Sequence, residues 1–504
     1  MISRLADFLC SRHGCLMFIG GYFLILFTLR ITLFPGASED DAEQLFFSQI
    51  FAWGYKVNQP TLYTWLVILA QKIFGVSAAS VAAVKFSALF ALFYFTRQSA
   101  HVVFNDNRYA ALAALSLLAI FYINWDGVVN YSHTILMAAF LMATLYVFLK
   151  IKPEQSILAY IGLGVLMGLG LLSKYNFALF LIPLFAAAVF TPSFRHKILT
   201  PKFLISILIA AALLAPHLQW LLANPASIST TPEYMDVAGG TGSAVVRAGK
   251  GLLDAVSGAA LFLAPLWLLY LLFFWRSFTP LKNIEPEDQE TKRFFEIYFA
   301  AFAFIVVIGI IIFSLSGIRN HWMMVLIPFP VYFLLRVRAI SPQTATLDRF
   351  AVLLAAFAVI VAIALFSRAM TAPNYCKKCN FFFPYAALAE QIKGAGFQGG
   401  TIITYDLPNQ LGGNLRRYFP DSRVISRRYS YFVPAERTKG QCLLVWNESK
   451  WAHGSGRSRV INIAKELLGV SVPAGTASKS AAAPLPRAKN KSAKLGFLIL
   501  PRCE

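Results

Sequence analysis

Four carboxylates, Glu39, Asp40, Asp41 and Glu43, crowd five residues directly after the first long apolar stretch. Charge at the mouth of a membrane helix is costly to place and marks a working position. Adjacent carboxylates such as Asp40 and Asp41 can have their proton affinities pushed apart. One of them is then suited to take a proton from an attacking hydroxyl. Two other readings stand beside this one. The pair can cap a following helix, or it can bind a divalent metal together with His133 or His321.

A second set of residues could hold an anion such as a departing phosphate: Lys85, Lys174, Arg247, Lys250, Arg319 and His321. Lys85 falls inside the second apolar run, about two turns from its outer end, where snorkelling to the interface is the alternative. Lys174 and the Arg319–His321 pair fall at outer helix ends, where ordinary interfacial anchoring is the alternative. Asp126 and His133, in the segment 124–133, and Gln59 and Tyr63, in the first loop, complete the candidate substrate-binding set.

The elements that must position these residues are membrane spans. The 504 residues are 58% hydrophobic and only 14% charged, unlike an ordinary soluble domain. Runs near the ~20 residues that cross a bilayer are predicted at 16–34, 79–99, 110–122, 134–150, 156–172, 176–190, 203–222, 256–275, 294–315, 322–336 and 349–369. No small-residue cleavage site follows the first, so it reads as a retained span. The net charge of +21 comes without a basic stripe interleaved with aromatics, which argues against nucleic acid. With the N-terminus inside, one set of loops holds sixteen Lys/Arg and the other six. The positive-inside rule then turns Asp40, Asp41 and everything after residue 370 outward.

Residues 35–78 read as a long external loop. Leu45, Phe46, Gln49, Ile50 and Trp53 share helical spacing over 42–53, which predicts a helix lying along the membrane interface. Residues 223–255, rich in Gly, Ser, Thr and Pro, suit a mobile lid or a plain flexible connection. After a membrane part at 1–370, a small α/β domain is predicted over 371–471. Its strands are TIITYD, SRVISRR and QCLLVWN, and its helices NQLGGNLRRYF and INIAKELLGV. The Ala/Pro/Lys-rich end, 472–504, reads as a largely disordered basic tail. From Cys376 onward there are 20 Lys/Arg against 7 Asp/Glu, so this part could hold an anionic acceptor or be simply a solubilising surface. Of six cysteines only Cys376 and Cys379 have a telling spacing, which fits a disulfide better than a metal or redox centre outside the membrane.

The acidic stretch DDAEQ (Asp40 to Gln44), followed by QPTLYTWL (Gln59 to Leu66) and LSKYNFALF (Leu172 to Phe180), resembles GT-C glycosyltransferases of the protein-mannosyltransferase and lipid A aminoarabinose-transferase type. Within these it looks most like rhizobial galacturonosyltransferases that decorate lipopolysaccharide. The resemblance covers residues 1 to about 340. It implies an inverting enzyme of the inner membrane that works on the periplasmic face. A polyprenyl-phosphate-sugar would be the donor and lipid A, core lipopolysaccharide or another envelope glycolipid the acceptor. It also implies Asp40 as general base with Asp41 assisting. The aminoarabinose transferases carry a Lys where this chain has Gln59, so other cations would hold the donor phosphate. The expected architecture is a polytopic α-helical, GT-C-like membrane protein of about eleven spans with a small C-terminal α/β periplasmic domain. A protein O-mannosyltransferase-like enzyme is the alternative, and a lipid or sugar transporter the rival from another class. Against transport, the chain lacks the internal duplication common in transporters.

Overall fold

The computed structural model describes residues 2–152, 157–225, 243–280, 286–376, 380–405, 410–435, 440–448, 455–473 and 475–503. Within these, six helices are long and apolar enough to cross a membrane: Arg12–Leu33, Ala78–Phe104, His133–Lys150, Pro201–Ala223, Pro286–Phe313 and Thr344–Asn374. Three further pairs meet the same criterion as broken spans, bent by 77° at Asn107–Ala119 and Phe121–Val129, 59° at Ala244–Phe262 and Ala264–Phe278, and 48° at Asn320–Leu326 and Phe329–Ala339. Each of the eleven predicted spans falls on one of these, or on the shorter apolar helices Ile157–Ser173 and Tyr175–Phe190. A third short helix, Leu62–Phe74, sits inside the stretch read from sequence as loop. Its thirteen residues are too few to register as a span.

The chain divides into two compact units. One comprises residues 1–24, 56–62 and 86–361, and among its described residues it is built of helices, with one isolated bridge between Lys56 and Gln59. Its Ile157–Ser173 and Pro201–Ala223 helices pack closely because glycine faces the contact. A Cβ on Gly164 would lie 2.6 Å from the Ser206 carbonyl oxygen, and one on Gly168 2.8 Å from Leu213. Small residues at such crossings are how membrane helices gain packing.

The other unit comprises Ile25–Tyr55, Tyr63–Lys85 and Ala362–Glu504. It is built on a five-stranded sheet, in the order β2-β1-β3-β5-β4. The strands are β1 Gly400–Tyr405, β2 Arg423–Ser426, β3 Gln441–Asn447, β4 Lys479–Pro484 and β5 Ser492–Leu500. β1 runs parallel to β2 and β3, while β5 runs antiparallel to β3 and β4. The first three strands and the helices Gln410–Arg416 and Ser455–Leu468 lie where the sequence put them. Alternate residues face opposite cores. Ile402, Val424 and Leu443 join Leu411 and Leu415 on one side, and Ile403 and Leu444 join Val460 and Ile463 on the other. Burial on both faces explains the unbroken apolar runs.

Two expectations fail in this unit. The end of the chain is not a disordered tail, because β4 and β5 complete the sheet. β4 buries Ala481 and Ala483 and exposes the residues between them, so the composition that reads as disorder is that of an edge strand. Its Pro484 is tolerated there because an edge strand leaves N–H positions unpaired. A disulfide joins Cys442 in β3 to Cys503 beyond β5, a pairing across 61 residues that local spacing does not reveal. Cys376 is also disulfide-bonded, while Cys379 lies outside the described residues.

The predicted interfacial helix over 42–53 is the second failure. The helix spans Glu39–Phe47, and Phe46, Phe47 and Tyr55 are buried in the sheet's own core with Leu411, Leu415 and Val424. Gln49 bonds both the N–H and the carbonyl of Val424, at 2.6 and 3.1 Å. Of the apolar face that looked suited to lipid, Phe46 and Ile50 pack on the sheet's core, while Trp53 is exposed.

Candidate functional site

The acidic helix is short and weakly capped. Ser38 has the extended conformation of an N-cap, yet its hydroxyl makes no capping bond. Successive residues on a helix point about 100° apart, so the two aspartates face different surroundings. Asp40 is half-buried. Asp41, only 3% exposed, meets Lys85 Nζ at 2.8 Å and Arg30 Nη2 at 3.4 Å. Burial alone would push the Asp41 carboxyl up, but Lys85 and then Arg30 hold it below the usual carboxylate range. Arg30 also donates to the carbonyls of Phe34 and Gly36, at 3.0 and 3.1 Å, and so ties the end of the first span to the acidic segment. Lys85, expected as a phosphate holder, is thus placed on a carboxylate.

Glu43 is buried and accepts a hydrogen bond from the Tyr429 hydroxyl. Tyr63 is fully buried within electrostatic range of Asp41 and Asp40, with its hydroxyl 3.5 Å from the Val81 carbonyl. Sequence reasoning missed Arg30, Glu43 with Tyr429, and the residues 414–417 that reach this helix. Arg30 alone left a local signal, a cation in the last turn of an apolar helix that must find a partner.

In the helical unit another polar group assembles where the Ile157–Ser173 helix breaks. The Lys174 N–H bonds the Gly170 carbonyl at 3.2 Å and the Phe177 N–H bonds the Lys174 carbonyl at 3.0 Å. The ring of Phe177 lies where a Gly170 side chain would be. This corner aims Lys174 Nζ at the Thr134 hydroxyl, 2.7 Å away, while the buried His133 donates through Nδ1 to the Ser173 carbonyl at 3.2 Å. His321 lies 5.5 Å from Tyr131, ring to ring, within electrostatic range of Lys174 and Arg319. Lys174, His133 and His321 therefore come together, with an exposed Arg319 near them.

The remaining candidates are more scattered. Asp126 accepts from the Asn130 amide at 2.9 Å. Gln59 pairs with Lys56, and its Oε1 is buried without a hydrogen-bond partner among the described residues. Arg247 is half-buried and Lys250 exposed on the Ala244–Phe262 helix. Residues 226–242 of the stretch read as a lid, with Glu233 and Asp236, lie outside the described residues, and 244–255 belong to that helix. Among the described residues no group of three or more His, Cys, Asp or Glu is arranged to hold a metal ion. The oxygens of Asp41 turn to Arg30 and Lys85 instead.

Residues 58–220 match the family described as dolichyl-phosphate-mannose-protein mannosyltransferase. The chain is similar to two lipopolysaccharide core galacturonosyltransferases of Rhizobium johnstonii. It is 28% identical to RgtA over 440 residues, 86% of this chain and 87% of that one, and 28% identical to RgtB over 436 residues, 85% and 86%. Among solved structures it has the fold of ArnT from Cupriavidus metallidurans. The crystal structure bound to undecaprenyl phosphate aligns with a TM-score of 0.60 at 13% identity, covering 96% of this chain and 98% of that one. The apo form aligns at 0.61 and 12%, covering 95% and 97%. The chain is therefore a multi-pass helical membrane protein of the GT-C fold, and the resemblance carried by its acidic loop extends over most of its length.

Proposed function

We propose that this protein is an inverting membrane glycosyltransferase that moves galacturonic acid from a polyprenyl-phosphate donor to lipid A–core lipopolysaccharide or another envelope glycolipid. It would act on the periplasmic face of the bacterial inner membrane. The observation that carries this reading is the buried pairing of Asp41 with two cations beside a half-buried Asp40. Asp41 is neutralised by Lys85 and Arg30, which keeps it ionised and makes it a poor proton acceptor. Asp40, half-buried one residue earlier, is assigned as the general base, the role that the resemblance implies for it. The acceptor hydroxyl attacks the anomeric carbon and gives its proton to Asp40. The bond from that carbon to the phosphate oxygen breaks, and its electron pair leaves with the phosphate. Lys174, with His133, His321 and Arg319, is assigned to the phosphate, where fixed positive charge lowers the barrier. Gln59, Tyr63, Asp126, Arg247 and Lys250 are assigned to substrate binding.

Relatives named as lipopolysaccharide core galacturonosyltransferases support the sugar and the acceptor, and a structural neighbour bound to undecaprenyl phosphate supports the donor. The cation bias of the loops and the Cys442–Cys503 disulfide support an outward-facing sheet unit in an oxidising compartment. The family matched by residues 58–220 favours one second reading, in which the acceptor hydroxyl belongs to a protein Ser or Thr. Mass spectrometry of envelope glycolipids from cells with and without the intact gene decides between them. Loss of one uronic acid residue from lipid A or core supports the first reading. An unchanged glycolipid profile with altered glycoproteins supports the second.

A further inference from the structure

Within the sheet unit, the C-terminal part of the chain reaches the acidic helix through bonds that end mostly on backbone. The Asn414 side chain accepts from the Ala37 N–H at 2.8 Å and donates to the Ala37 carbonyl at 3.2 Å. Arg417 donates to the Pro35 carbonyl at 2.7 Å. Arg416, only 2% exposed, donates to the carbonyls of Leu45 and Ser48, at 2.5 and 3.1 Å. Arg487 reaches the Leu33 carbonyl, and the Gly36 N–H bonds the Phe381 carbonyl at 2.9 Å. Between these bonds the Gln410–Arg416 helix touches the acidic helix directly, for a Cβ on Gly413 would lie 1.9 Å from the Ala42 carbonyl oxygen.

A nine-residue helix is too short to be stable alone in water, and its N-cap hydroxyl gives it no help. We propose that the C-terminal sheet and its helices, within this unit, are a backbone clamp that sets the position of the carboxylate pair, with Asn414, Arg416 and Arg417 as positioning residues for the transfer step. The arginines expected to form a face for an anionic acceptor are, at 416, 417 and 487, spent on carbonyls of the acidic segment. Holding the backbone fixes where the Asp40 carboxylate sits, and a displacement of about 1 Å at such a group costs roughly 100-fold in rate.

The inference rests on the reading of Asp40 as base, and the test keeps the two apart. Full-length enzyme in nanodiscs is assayed with polyprenyl-phosphate-linked galacturonic acid and lipid A–core acceptor, and kcat is normalised to the donor sites titrated. Asn414→Leu and, independently, Gly413→Ala are expected to lower kcat about 10- to 100-fold while both KM values stay within about twofold. An unchanged kcat, or a loss seen only as a raised acceptor KM, overturns the clamp and makes the sheet unit an acceptor platform. Should Asn414→Leu fail to titrate donor, Gly413→Ala and Arg417→Gln carry the same reading. Asp40→Asn is measured alongside. If it retains turnover the base is another carboxylate, Asp41 or Asp126, whereas the kcat loss in the clamp variants stands or falls by itself.

Discussion

The acidic helix and the Lys174 corner are both polar groups in a largely apolar protein, yet they are assembled over very different spans of chain. Ala37 is bonded by Asn414, Leu45 by Arg416 and Glu43 by Tyr429, across 377, 371 and 386 residues. His133 and Lys174 find Ser173 and Thr134 across 40. The corner is made by neighbouring helices of the membrane part, whereas the acidic helix is held by a unit whose sheet is written at the other end of the sequence. Chemistry placed on the first depends on segments more than 370 residues away; chemistry placed on the second needs only helices of the membrane part.

The sharpest way to break this contrast is Asp40→Asn. A lost general base lowers turnover about 100- to 10,000-fold, with thermal unfolding in detergent unchanged. Retained turnover would move the base to Asp41 or Asp126. Asp41→Asn should act on stability instead, because it strands the buried cations Lys85 and Arg30, at a cost of about 3–5 kcal/mol. Unfolding measured calorimetrically would show a lowered midpoint, partly restored by adding Lys85→Met; a wild-type midpoint would make the ion pair incidental. The same pair has a pH signature. The folded-state carboxyl of Asp41 lies below its ordinary value, so its contribution is present above pH ~4 and drains away as pH falls through the depressed value. Asp41→Asn should flatten that acid limb.

Tyr429→Phe leaves the buried Glu43 without its hydroxyl donor and should cost about 1–3 kcal/mol, measurable by the same unfolding scan. Lys174→Met sharpens the contrast from the other side. It should weaken binding of the lipid-phosphate donor about tenfold, the loss of one charge-assisted contact, without moving the unfolding midpoint. Equal donor affinity in a titration would return Lys174 to the role of helix-end anchor.

The span pattern was legible because apolar length and loop charge are local properties of a sequence, and so were β1 to β3. The acidic pair was legible for the same reason, since four carboxylates at a helix mouth need no partner to be noticed. The partners were not. Nothing near Asn414 or Arg416 announces that their donors end on Ala37 and Leu45, and Lys85 read as a loose cation because Asp41, its partner, lies 44 positions earlier. Composition misled at β4, where alternating small and exposed residues imitate disorder. Periodicity misled at Phe46 and Ile50, because a helix face that covers a sheet and one that rests on lipid have the same spacing.

The distance from Ala37 to Asn414 can also be counted in time. A chain made at about 5–20 residues per second exposes the acidic helix roughly 20–75 seconds before the side chain that bonds Ala37 has left the ribosome. Through that interval the first span and the carboxylates after it have been made, while their partners Asn414, Arg416, Arg417 and Tyr429 have not. Until Asn414 has emerged, its two bonds to Ala37 cannot form.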